Sequence, residues 1–171
     1  SGNTWVRAFI STYYYSEDDN FDFRLLKNIK QFPHEKFFKT KISNINEAID
    51  NWDKGQIDIN NKNKFIFLKT HSALVRINNK PFTNNKHTIG GIYIVRDPRN
   101  VITSISNHYQ LNFNESLEFM MNKKKYLLNI NDISNYANFT FLHSWSEHYR
   151  SWKINKQFNL LFIKYEDLEK N

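Results

Sequence analysis

The corner spanning residues 89–104 constrains this chain more than any other stretch. Ile89 to Val95 is an apolar run rich in β-branched residues, the make-up of a buried strand. It stops abruptly at Arg96-Asp97-Pro98. Aspartate is a good helix cap, and proline suits the first helical position because its φ is preset and the amide hydrogen it lacks would be unused there. A helix is therefore predicted from Pro98 to about Tyr109. Two further runs, Phe65–Lys69 and Leu160–Ile163, read as short buried strands. Strands separated by helices imply a parallel sheet covered by helices, with functional loops at the carboxyl ends of the strands.

The remaining segments fit that alternation. Residues 4–15 form an amphipathic stretch, with Trp5, Ala8, Phe9 and Thr12 at helical spacing. An acidic, polar loop is expected over 17–22. Helical segments are expected near 23–30 and 46–53, with Gly55 breaking the second. Another helix runs from Asn114, or a capping neighbour, to about Met121. Residues 136–155 carry Phe139, Leu142, Trp145, Tyr149 and Trp152 near helical spacing, a stripe predicted to lie in the core. No repeat or flexible linker interrupts the chain, and 171 residues make one domain with room for a core.

Composition excludes several classes. With 40% hydrophobic and 24% charged residues the chain is neither disordered nor collagen-like. Having no cysteine, it has no disulfide frame and no thiolate metal site, which fits a reducing compartment. No apolar run reaches bilayer length, and the first residues lack a signal-peptide pattern. The net charge of +7 suits a polyanionic partner, a nucleotide or plain solubility. Apart from Lys123-Lys124-Lys125, read as a solvated helix face or loop, the basic residues are scattered, and no nucleic-acid partner is expected.

Three polar clusters fall at the ends where such a fold places its chemistry. Ser1-Gly2-Asn3-Thr4-Trp5 opens a helix. A glycine-containing turn there exposes backbone N–H groups, and the helix dipole adds positive potential, so a phosphate is favoured. Asn3 and Thr4 add side-chain donors, and Trp5 offers a flat face to a base. Without a Gly-Lys-Ser/Thr sequence it is not a Walker A loop. The second cluster, Lys69-Thr70-His71, leaves the 65–69 strand with two titratable residues two apart, able to project the same way. A histidine accepts a proton near neutral pH, and a lysine offsets charge growing on a leaving oxygen. In the third, Arg96 ends a strand with a planar fork suited to phosphate, and Ser104 lies about two turns into the next helix. The plain alternative for Arg96 is a salt bridge with Asp97 or a capping role. His143 and His148 are five apart, off one helical face, and no metal-ligand set is visible.

In this order the clusters resemble the sulfotransferases that use 3′-phosphoadenosine 5′-phosphosulfate (PAPS). Ser1 to Trp5 is similar to the end of the family's 5′-phosphosulfate loop, Pro-Lys-Ser-Gly-Thr-Thr-Trp. Lys69-Thr70-His71 is similar to the Lys-Thr-His that carries the catalytic base in the cytosolic-type branch. Arg96 to Ser104 is similar to the 3′-phosphate motif, Arg-Asp-Pro-Arg/Lys-Asp/Asn-Val-x-x-Ser, and Phe162 to Leu168 to a strand followed by Tyr-Glu-Asp-Leu/Met.

The resemblance implies a three-layer, P-loop-like α/β fold with a central parallel sheet flanked by helices. It implies sulfuryl transfer from PAPS to a hydroxyl or amine, with PAP as product and no metal. His71 would be the base and Lys69 the partner of the leaving oxygen. Ser1, Gly2, Asn3, Thr4, Trp5, Arg96 and Ser104 would hold the nucleotide. A small molecule, lipid or glycan is the expected acceptor, in the cytoplasm. The family's Pro-Lys, the strand before it and its C-terminal nucleotide segment have no counterpart here. Residues 1–171 are thus expected to be a single domain incomplete at both ends and short of full activity. A non-catalytic PAPS- or PAP-binding protein is the alternative.

Overall fold

The computed structural model describes residues 2–60, 65–128, 134–168 and 170. Among the described residues there are six α-helices: α1 (Asn3–Tyr15), α2 (Ile45–Asn60), α3 (Pro98–Tyr109), α4 (Phe113–Met121), α5 (Trp145–Lys153) and α6 (Tyr165–Leu168). The described residues also form eight strands: β1 (Lys30–Gln31), β2 (Leu68–Lys69), β3 (Arg76–Ile77), β4 (Lys80–Pro81), β5 (Gly90–Val95), β6 (Tyr126–Leu127), β7 (Thr140–Phe141) and β8 (Asn159–Lys164). The architecture is α/β. The longest strands, β5 and β8, pair in parallel from Gly90↔Asn159 to Val95↔Lys164, and β1 pairs in parallel with β2. Two antiparallel pairs, β3–β4 and β6–β7, complete the sheets among the described residues.

The predicted corner forms as expected. Asp97 caps α3 by accepting from Arg99 N at 2.9 Å, with Pro98 in the first position. The α4 cap is Asn112, two residues before the expected Asn114. Its side chain accepts from Glu115 N while Glu115 accepts from Asn112 N, a reciprocal pair that fixes the helix start.

Four expectations need correction. Gly55 does not break α2; it lies inside the helix, where a Cβ would come within 2.9 Å of the Phe38 ring, so its smallness serves packing. The 65–69 run is a strand only at Leu68–Lys69, and Phe65 is 59% exposed rather than buried. The 136–155 stripe is not one helix: Tyr136–Asn138 is a 3-10 turn, Thr140–Phe141 is β7, and Ser144 caps the shorter α5. Of that stripe only Phe139 enters the buried core directly; Tyr149 and Trp152 pack on Tyr93 of β5. On α1 the buried residues are Val6 and Ser11, while Trp5 and Phe9 face outward.

The core gathers around α2. Trp52 is fully buried, edge-on to Phe82 at 5.3 Å and stacked with Phe139 at 6.2 Å, with Phe32, Ile42, Ile49 and Ile59 around them. Lys123 and Lys124 are solvated after α4, and Lys125 lies over the Phe119 ring at 3.9 Å. Among the described residues no helix is long and apolar enough to cross a membrane.

Candidate functional site

Ser1 lies outside the described residues. Gly2 takes the cap position of α1 with φ 70°, a backbone conformation open to glycine, and its carbonyl accepts from Val6 N at 3.1 Å. A cap glycine has no side chain to offer the first turn, and that turn carries no acidic residue. The turn is pressed against the ends of the β5–β8 pair. A Cβ on Gly2 would sit 2.6 Å from Tyr165 Cδ2 and 3.2 Å from Ile94 Cγ2. Asn3 is half-buried with Oδ1 lacking a partner, Thr4 is exposed and Trp5 is 58% exposed.

Arg96 leaves β5 with its guanidinium 4.5 Å above the same Tyr165 ring, so one aromatic side chain touches both the turn and the corner. Its Nε is buried without a hydrogen-bond partner. Asp97 is not its ion partner: Asp97 pairs with Arg99, which holds the carboxyl at about 2. The Asp97 amide donates to Glu166 Oε1 at 2.9 Å, joining the end of β5 to α6 and holding the Glu166 carboxyl below its ordinary range. Arg96, Asn100, Thr103, Ser104 and Asn107 line an open cavity of about 250 Å³. Its walls are thus polar donors and one fixed cation, a setting for a phosphate. Asn100, Thr103 and Asn107 extend the predicted set; their three- and four-residue spacing along α3 was visible in the sequence but unused.

Lys69 ends β2 half-buried, and burial, then Arg7, lowers its pKa. His71, also half-buried, is lowered from 6.5 to about 4 by burial first, then by Lys69 and His148, with Arg7 adding to it. The ring is therefore neutral at pH 7, the charge on Lys69 disfavouring its protonation.

The loop carrying His71 is gripped by α5. The Tyr93 hydroxyl is 2.8 Å from His148 Nδ1, and His148 Nε2 is 3.1 Å from the His71 carbonyl. A carbonyl only accepts, so Nε2 carries the hydrogen and Nδ1 accepts from Tyr93. Burial keeps His148 below its ordinary pKa, which suits that neutral tautomer, and pushes the Tyr93 phenol up. Trp152 Nε1 donates to the Ser72 carbonyl at 3.1 Å, and Leu74 N donates to Ser151 Oγ at 3.0 Å. Sequence reasoning weighed His148 only as a metal ligand and missed Arg7. Arg7 hangs from α1 and donates through Nη2 to the carbonyls of Leu26 (2.7 Å) and Ile29 (3.1 Å), while its Nε is buried and unpartnered. No local pattern marks either residue, because the partners lie far along the chain.

No group of three or more histidine, cysteine, aspartate or glutamate residues among those described is placed to hold a metal. No curated protein shows significant similarity to the sequence. The family model for the sulfotransferase domain, however, matches residues 1–171, the full length given. The chain therefore belongs to the sulfotransferase domain family, and the reaction that goes with that domain is transfer of a sulfuryl group.

Proposed function

We propose that this is a PAPS-dependent sulfotransferase site with His71 as general base. The carrying observation is the shared Tyr165 ring, which the Gly2 turn and Arg96 both touch. Two anion-favouring features, one at each end of a doubly phosphorylated adenosine, thereby become neighbours. The residues fit such a nucleotide: the turn has no room for a Cβ, and Arg96 Nε lacks an acceptor. The amides of the Gly2–Trp5 turn would take the 5′ end, with Ser1 as a further donor. Arg96 and Ser104 would take the 3′-phosphate. The Trp5 face is open to a base.

His71 accepts the proton of the acceptor hydroxyl as its oxygen attacks sulfur. The new S–O bond forms opposite the one to the 5′-phosphate oxygen, which leaves with its electron pair. Lys69 and the turn amides offset the charge growing on that oxygen. Positioning and fixed charge supply most of such catalysis. The absence of cysteine suits the cytoplasm.

The test is His71→Ala in the full chain. Sulfuryl transfer should fall by roughly 10²–10⁴-fold, the range for a lost general base, while PAP still binds by calorimetry. Unchanged turnover removes His71 from this role. The low His71 pKa of about 4 makes it a weak base before ligands arrive, and this favours a second reading: a protein that only binds PAPS or PAP. That reading requires PAP binding with no transfer to any member of a broad acceptor panel.

A further inference from the structure

We propose that the acceptor taken at this site carries a negative charge of its own, a deepening that rests on the sulfuryl-transfer reading above. The observation is a second cleft, of about 560 Å³, whose walls include Arg7, Lys27, Lys30, His34, Lys36 and Phe37. It shares no lining residue with the Arg96 cavity. Four of those side chains are permanent cations, and no carboxylate lines the cleft.

Nearby acids are engaged elsewhere. Glu35 Oε2 accepts from Asn135 Nδ2 at 3.1 Å, and Asp22 is clasped by Arg24 through Nε and Nη2. Lys27, Lys30 and Lys36 are exposed and form no ion pair among the described residues. Asp22 acts on Lys27 and Glu35 keeps its charge, but the four cations of the lining outnumber these acids, so the cleft presents net positive potential, which recruits and orients anions.

The cleft also borders the strand that leads to His71. β1 places Lys30 and Gln31 alongside Leu68 and Lys69, and Phe32 N donates to the Lys69 carbonyl at 2.8 Å. His71 is two residues beyond. Arg7, which lines the cleft, also weakens proton binding at both Lys69 and His71. A negatively charged acceptor brought up to an anionic donor meets repulsion unless cations stand nearby. Arg7 and Lys69 supply two. The flat Phe37 ring and the ring of His34 add surface for a sugar or aryl body.

The test uses the full chain with three matched acceptors: 4-nitrophenyl β-glucoside, 4-nitrophenyl β-glucuronide and the 6-phosphate of the glucoside. They share a ring and hydroxyls and differ in charge. PAP binding is measured first by calorimetry; its failure strikes the nucleotide reading and is read separately. With PAP bound, the glucuronide or the phosphate, or both, should bind at least about tenfold more tightly than the glucoside. Preference for one shows which anion the cleft takes. The preference should shrink on raising salt from about 50 to about 500 mM. Lys27→Glu with Lys36→Glu, both at exposed positions, should erase it while PAP affinity stays unchanged. Equal binding of all three, no binding of any, or a preference that survives the double reversal overturns the proposal.

Discussion

A methyl group placed on Gly2 would lie 2.6 Å from Tyr165 Cδ2, in a backbone conformation that L-residues rarely adopt. Either the turn or the Tyr165 ring must shift, and Arg96 rests on that ring. Gly2→Ala is therefore expected to weaken PAP binding by about tenfold or more, measured by calorimetry, with the far-ultraviolet circular dichroism unchanged. Retained affinity would show that the turn does not set the nucleotide position. The place of Arg96, at the end of a strand and ahead of a capped helix, was legible in the sequence. Its freedom from Asp97 was not legible, because the competing Arg99–Asp97 pair depends on side-chain reach rather than on sequence spacing.

At the scale of elements, α5 acts as a clamp on the loop that carries His71. His148→Phe keeps a ring of similar bulk and removes both hydrogen bonds. The expected result is a loss of kcat of about tenfold with PAP affinity unchanged, since displacing His71 by a fraction of an ångström would cost the proposed base its alignment. An unaltered kcat would reduce the clamp to packing. Helix starts give a simpler case: Asn112→Ala removes the reciprocal cap of α4 and should cost about 1 kcal/mol in urea unfolding. Caps of this kind are local chemistry, which is why the start of α3 could be read from three residues. The α5 stripe failed for the opposite reason. Aromatic residues near helical spacing fit a buried 3-10 turn and strand equally well, and only Ser144, a capping residue inside the stripe, carried the contrary signal. The contacts from His148 to Tyr93 and His71 span 55 and 77 residues, beyond any local pattern.

For the whole molecule, stability and acid are linked through buried histidines. His71 and His148 both bind protons less readily in the fold than in the open chain. The unfolded state therefore takes up protons first. Stability from His71 is complete above pH 6.5, declines as pH falls toward about 4, and is flat below. Urea midpoints across that window should fall, and fall less in His71→Gln. A midpoint independent of pH would contradict the burial of these rings. Trp52→Ala, by contrast, should cost about 3–5 kcal/mol at any pH, because its cavity would open at the centre of the core. The α/β class was legible in the alternation of strands and helices. The in-register β5–β8 pairing was not, since 69 residues separate Gly90 from Asn159 and nothing local encodes their register.

The glycine cap of α1 has a consequence of its own. A glycine cap offers the opening turn no side-chain acceptor of its own, so an arriving phosphate would be its keystone. Saturation with PAP should then slow deuterium uptake at Asn3 to Val6 and raise the melting temperature together, binding and local folding being a single event.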